Sequence, residues 1–174
     1  YRMLVSQNAA GMKQGDVVLI WGATGFTGKI VSDYMAQHYG GGNLTWGLGG
    51  RSAGKLEAVR TGLGSAYAEL PLYIADSLSP EQMREVVGKA RVVLTTVGPY
   101  AKYGNELVAA CAELGTHYCD LTGEVHWMRK MIDAYHVSLI AKCAKTMEGI
   151  REGDGTMLDN TMIVYLSCAG GKHH

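Results

Sequence analysis

Apolar and polar positions along this chain follow two alternating rhythms. Short apolar runs, such as Val17-Val18-Leu19-Ile20-Trp21 and the β-branched stretch from Val92 to Val97, read as buried strands. Between them, apolar residues recur three and four apart, as at Leu56, Val59 and Leu63, which marks helices with one buried face. The pattern predicts strands at residues 17–21, 44–49, 72–75, 92–97, 117–120 and 161–167. It predicts helices at residues 27–39, 52–63, 105–114 and 125–145, with Gly40 and Gly115 as stops. Ser79-Pro80-Glu81-Gln82 starts a further helix: Ser79 caps, Pro80 fills the first turn and Gln82 completes a capping box. Residues 1–11 read as a helix leading into the first strand, and residues 149–155 as a polar loop. Within that loop, Glu152-Gly153-Asp154-Gly155 resembles part of a calcium loop but lacks the full ligand set and reads as a turn.

Strands that alternate with helices over short connections predict an α/β fold with a parallel sheet covered on both faces. Six strands in two halves match a three-layer, doubly wound Rossmann fold of order 3-2-1-4-5-6. The expectation is one NAD(P)-binding domain over residues 1–174, with no separate substrate domain.

The junction after the first strand carries the strongest chemical signal. Gly22-Ala23-Thr24-Gly25-Phe26-Thr27-Gly28 stands where a buried strand passes into a helix. A glycine-rich turn there aims backbone N–H groups and the positive end of a helix dipole at one point, which suits a pyrophosphate. The first glycine permits the turn, the second admits the ligand, and the third lets the helix pack close to the strand. The spacing G-x-x-G-x-x-G differs from G-x-G-x-x-G and goes with dinucleotide folds that prefer NADP. A purely structural glycine turn is the plainer alternative.

The end of the second strand decides between the two nicotinamide dinucleotides. An NAD site carries Asp or Glu there to bind the ribose hydroxyls. This chain has Gly49-Gly50-Arg51-Ser52, with an arginine in place of the acid. A guanidinium can form two parallel bonds to a 2′-phosphate, Ser52 adds a hydroxyl donor, and Lys55 lies one turn on. The cofactor expected is therefore NADP(H), against the alternative of a solvated surface arginine. Asp76 ends the third strand, where it either accepts from the adenine amino group or serves as a turn residue. Val97-Gly98-Pro99-Tyr100 ends the fourth strand, where the ribose and nicotinamide side should pass. Asp120, Thr122, Gly123 and Glu124 follow the fifth strand, near the expected nicotinamide or substrate; a helix start capped by Thr122 is the alternative.

Composition narrows the classes. Sixteen basic and sixteen acidic side chains give a net charge of +0, which offers no support for nucleic-acid or membrane-surface binding. No apolar stretch is long enough to span a bilayer, and no secretory signal is visible. The four cysteines, Cys111, Cys119, Cys143 and Cys168, show no C-x-x-C spacing and read as buried, reduced thiols, so a cytoplasmic setting is expected. The six histidines form no metal pattern, and no metal site is expected. The chain begins at Tyr1, which reads as a processed, excised or engineered sequence. Catalytic residues and oligomeric state are not legible from these patterns.

Gly22 to Gly28, Gly50-Arg51-Ser52, Thr95-Thr96-Val97-Gly98-Pro99-Tyr100 and Tyr118-Cys119-Asp120-Leu121-Thr122-Gly123-Glu124 together resemble the saccharopine dehydrogenase-like oxidoreductases. Within them the trans-acting enoyl reductases are the branch most like it, over Trp21 to about His136. The resemblance implies an NADP-dependent Rossmann domain with the glycine loop and Arg51 as cofactor contacts, and hydride transfer to an enoyl or imine substrate. It also implies a large substrate domain beyond the Rossmann half, which this chain does not show. The flanks resemble other proteins. Tyr1 to Trp21 is similar to the entry to the first strand in crotonyl-CoA carboxylase/reductases, and Thr156 to Gly171 to a strand in sulfatase-like proteins. Cys168 stands where those have a metal-binding aspartate, so no metal site is carried over. A chimeric, recombined or designed scaffold that binds no cofactor usefully is the alternative reading.

Overall fold

The computed structural model describes residues 16–40 and 44–163. The backbone groups into two compact units, Tyr1–Glu124 and Val125–His174, taken in turn. The first unit holds a five-stranded parallel sheet of order β3-β2-β1-β4-β5. Its strands are β1 (Val17–Trp21), β2 (Thr45–Gly50), β3 (Leu72–Ile74), β4 (Val92–Thr95) and β5 (His117–Cys119). Five helices connect them: α1 (Phe26–Tyr39), α2 (Ala53–Gly62), α3 (Pro80–Val87), α4 (Tyr100–Tyr103) and α5 (Asn105–Leu114). This is the Rossmann-type order expected, over the strands described. Of the sixth predicted strand, residues 161–163 carry no strand and the rest lie outside the described residues, as does the predicted helix at 1–11.

β1 explains the layering. Its residues alternate between two cores, as side chains on a strand must. Val18 and Ile20 enter a cluster with Met35 of α1, Trp46 and Leu48 of β2, and Leu56 of α2. Leu19 and Trp21 enter the opposite cluster with Met83, Val86 and Val87 of α3, and Leu107, Ala110 and Cys111 of α5. A strand buried on both faces must be apolar throughout, which is why residues 17–21 form an unbroken apolar run.

The helix ends mostly follow their predicted chemistry. Ser79 Oγ accepts from Gln82 N at 3.4 Å and Pro80 takes the first position of α3. The capping box closes only halfway: Gln82 Oε1 accepts from Asp76 N at 2.8 Å and so fastens the end of β3 to α3. α5 stops at Gly115, whose φ is +69°. β4 is shorter than the apolar run suggested, because the chain turns towards α4 after a last bond from Thr96 N to Trp21 O at 3.0 Å. Alternating apolar residues cannot mark that exit, since both sides of it are β-branched.

In the second unit, α6 (Val125–Glu148) leads to a hairpin, β6 (Arg151–Glu152) with β7 (Gly155–Thr156), where a loop was expected. Asp159 Oδ2 accepts from Thr156 N at 2.7 Å and from Thr156 Oγ1 at 2.8 Å, and this fastens the hairpin to the following turn. No helix among the described residues is long and apolar enough to cross a membrane.

Cys111 is buried and Cys119 half-buried, as anticipated, whereas Cys143 is exposed on α6 and Cys168 lies outside the described residues. The Cys111, Cys119 and Cys143 thiols are all free. Burial, helped by the neighbouring Cys119, pushes the Cys111 thiol from its ordinary 9.0 up to about 12. Because the folded value is the higher one, the stability contributed by the neutral thiol is complete below pH 9.0 and is lost as pH rises towards about 12. Labelling with a disulfide reagent near pH 8 should modify Cys143 at once and Cys111 only after denaturant is added. Prompt labelling of Cys111 would contradict its packing.

Gly49 of β2 pairs with Trp21 of β1, and a Cβ there would press into the Trp21 ring and stand 2.9 Å from Leu19 Cδ1. Gly49→Ala should therefore destabilise the fold by about 1–3 kcal/mol in a denaturant titration, as overpacking of a filled core does.

Candidate functional site

The order of the sheet reverses between β1 and β4, and ligands of open α/β sheets bind outside the carboxyl ends of the strands at such a point. A cleft of about 240 Å³ lies there, lined by residues from four strand ends. β1 gives Trp21 and continues into Gly22, Thr24 and Gly25; β2 gives Gly50 and Arg51; β3 is followed by Asp76 and Ser77; β4 is followed by Thr96, Val97 and Gly98, with Tyr103 from α4.

The glycine junction forms the floor. Gly22 has φ +88°, and a Cβ on it would stand 2.6 Å from Val97 Cγ2 and 3.0 Å from Thr96 Oγ1. Only glycine lets the chain turn there while β4's exit packs against it. A Cβ on Gly28 would collide with the carbonyl oxygen of Gly22 and stand 2.8 Å from Ala23 Cα, so the third glycine sets the close approach of α1 to β1. Gly22 N and Ala23 N donate to Gly49 O at 2.9 and 3.1 Å, and Gly25 N to Gly22 O at 3.0 Å.

Those bonds stop at the start of the helix. The α1 N-cap is Gly25, with no side-chain cap. The first intrahelical bond runs from Lys29 N to Gly25 O, which leaves the N–H groups of Phe26, Thr27 and Gly28 without a protein acceptor among the described residues. Orphan donors at the positive end of a fourteen-residue helix are the donor set a pyrophosphate needs.

Arg51 is exposed at the end of β2, and its side chain forms no hydrogen bond or ion pair among the described residues. Ser52, half-buried, is the N-cap of α2 but makes no capping bond from its side chain. Asp76 does part of a turn's work: Oδ1 accepts from Leu78 N at 3.0 Å. The Trp21 indole is held by donation from Nε1 to Ser77 Oγ at 3.1 Å, which ties β1 to the loop after β3. This donor set, an unpaired guanidinium beside uncapped helix amides, fits a dinucleotide that carries a 2′-phosphate.

The structure gathers seven of the predicted site residues around the cleft: Gly22, Thr24, Gly25, Arg51, Asp76, Val97 and Gly98. Ala23 and Gly28 are buried beneath it, whereas the Phe26 side chain is 84% exposed. Thr27 and Pro99 are exposed beside the lining, with Thr27 offering its amide. Tyr100 and Asp120 stand behind the cleft wall. Tyr100 is only 4% exposed, donates to Thr95 O at 3.2 Å and accepts from Leu121 N at 3.4 Å. Asp120 accepts from the Tyr118 hydroxyl at 2.8 Å and from Thr122 N at 3.2 Å. Burial raises the phenols of Tyr100 and Tyr118, the latter further through its bond to Asp120, so both remain protonated donors at neutral pH.

Gly50, a strand-end glycine of the Arg51 motif, lines the cleft, as do Trp21, Ser77, Thr96 and Tyr103, which are not predicted contacts. Trp21, Ser77 and Thr96 each lie one residue from a predicted contact and follow once the strand ends are placed. Tyr103 had no signal, because a single-turn helix has no periodicity to read. A larger groove of about 500 Å³ lies between α1 and α2, lined by Thr24, Lys29, Asp33, Lys55, Ala58, Val59 and Gly62. It shares only Thr24 with the cleft and takes in neither Arg51 nor the glycines of the junction.

Residues 18–145 match the family described as the saccharopine dehydrogenase NADP-binding domain. A trans-acting enoyl reductase of Mycobacterium tuberculosis is 47% identical over 124 residues, which cover 71% of this chain and 29% of that protein. One from Mycobacterium ulcerans is 46% identical over 119 residues, covering 68% and 28% respectively. Apo saccharopine dehydrogenase (L-Glu forming) from Saccharomyces cerevisiae shares the fold, with a TM-score of 0.51 at 17% identity over 63% of this chain and 23% of that one. The chain thus spans less than a third of the length of the curated relatives it matches.

Proposed function

The chain belongs to the saccharopine dehydrogenase NADP-binding domain family, an oxidoreductase-type Rossmann domain whose cofactor is NADP(H), and on that premise we propose which of its residues hold the cofactor. The amides of Phe26, Thr27 and Gly28 receive the pyrophosphate over the floor made by Gly22, Ala23, Thr24 and Gly25. Arg51 forks onto the 2′-phosphate, with Ser52 adding a hydroxyl. Asp76 borders the adenine, using the carboxylate oxygen its turn leaves over. Val97, Gly98 and Pro99 carry the ribose and nicotinamide side. Tyr100 and Asp120 serve this edge from behind it.

Bound NADPH supplies a hydride, and the substrate class we propose is an enoyl or imine group, whose carbon accepts it. The chain's own part is position: amides fix the phosphates and Arg51 selects the phosphorylated ribose. Turnover requires residues that hold the acceptor over the nicotinamide. A scaffold without cofactor binding is not favoured, because an uncapped helix start and an unpaired arginine converge on one cleft. The free thiols support a cytoplasmic location.

The observation that carries this reading is the unpaired Arg51 beside the glycine junction. NADPH fluorescence should show saturable binding, and Arg51→Gln should weaken it by about tenfold to a hundredfold, since a bidentate charge-assisted contact is lost. NADH binding, weaker from the start, should stay unchanged in Arg51→Gln. A preference for NADH in the unaltered chain, or equal losses for both cofactors, would overturn the role of Arg51.

A further inference from the structure

Glu124 ends the loop that follows β5, yet its carboxylate is spent on the element that follows β4. Oε1 accepts from Tyr100 N at 2.6 Å and Oε2 from Ala101 N at 2.9 Å, so both oxygens seize the first two amides of α4. The N-cap of α4 is Pro99, which offers no side-chain cap. A helix of four residues is too short to hold itself together and needs such an external partner. The second tie between the same two loops is the Tyr100 hydroxyl, which bridges Thr95 O and Leu121 N.

What these ties hold is one wall of the cleft. Val97 and Gly98 precede α4 and Tyr103 ends it, and all three line the cavity. The last bond of β4 to the sheet runs from Thr96 N to Trp21 O at 3.0 Å; beyond it Gly98 and Pro99 are exposed and make no backbone bond to a strand among the described residues. On the opposite side Ala75 N donates to Gly50 O at 3.2 Å and Asp76 N to Gln82 Oε1 at 2.8 Å, so β2 and α3 hold the Arg51 and Asp76 edge. The adenosine side is therefore built without Glu124, and the nicotinamide side with it.

We propose that Glu124 is a positioning residue for the nicotinamide half of the cofactor: its carboxylate fixes the β4–α4 wall and does not touch the ligand. This role rests on the NADP(H) reading above. Both carboxylate oxygens accept from backbone amides, and Glu124 is not among the residues that line the cleft. Its effect on binding is confined to one half of the ligand, which a merely structural residue would not produce.

The test titrates the full chain, Glu124→Gln and Glu124→Ala with NADPH by fluorescence and with 2′,5′-ADP by calorimetry. The second ligand carries the adenosine half and the 2′-phosphate alone. Glu124→Ala should weaken NADPH by about tenfold, and Glu124→Gln by less, because its amide oxygen still accepts one N–H. The affinity of 2′,5′-ADP should stay within about twofold in both variants. If Glu124→Ala fails to fold, Glu124→Gln carries the comparison. NADPH binding that matches the unaltered chain would overturn the role, as would an equal loss of both ligands. An unaltered chain that binds neither ligand would overturn the cofactor reading itself, and this role with it.

Discussion

A backbone contact between the first turn of α1 and the end of β1 governs the site. Gly28 lies against the carbonyl of Gly22 with no room for a methyl group between them. That approach seats α1 directly over the strand end, and the amides of Phe26, Thr27 and Gly28 have no protein acceptor among the described residues. An Asn or Ser at the N-cap would satisfy one of these donors from within the chain. Gly25 stands there instead, so the positive end of the helix dipole is left for a ligand. An anion bound there would complete the uncapped helix start.

The rest of the cleft follows from sheet order. β2 and β4 flank β1, so the loops after them open to either side of the glycine floor. One side presents Arg51, exposed and unpaired among the described residues, beside a carboxylate, Asp76, that is partly engaged by its own turn. A long-range field from an exposed guanidinium is screened by salt within about 8–10 Å, so discrimination between phosphorylated and free ribose must come from direct contact. The other side is a loop and a single helical turn held from behind by the β5 loop. Tyr100, Asp120 and Glu124 belong to that backing, where Tyr118 and Thr122 complete the bonding.

Most of the fold was legible because parallel strands buried on both faces leave unbroken apolar runs, and β1 alternates cleanly between the two cores. The glycine floor and Arg51 were legible because their chemistry depends on position relative to a strand end. The finer site was not. Thr96 and Val97 look like strand residues, and only the ladder's end at Thr95 turns them into cleft lining. Tyr100 and Asp120 have polar ends suited to a ligand, yet their groups are engaged with Thr95, Leu121, Tyr118 and Thr122, across sequence separations that no local pattern encodes. Gln82 illustrates the same limit: the capping box was readable, but its side chain reaches Asp76 instead of closing back on Ser79.

The central claim is that the uncapped start of α1 and the Arg51 edge hold one NADP(H) molecule across the switch point. Amide chemical-shift mapping of the isotope-labelled chain during an NADPH titration tests it most directly. The account predicts saturable shifts at Gly25 to Gly28, at Arg51 and Ser52, and at Val97 and Gly98, all with one dissociation constant. Shifts centred on the α1–α2 groove around Lys29, Ala58 and Gly62, with the glycine floor unmoved, would contradict it.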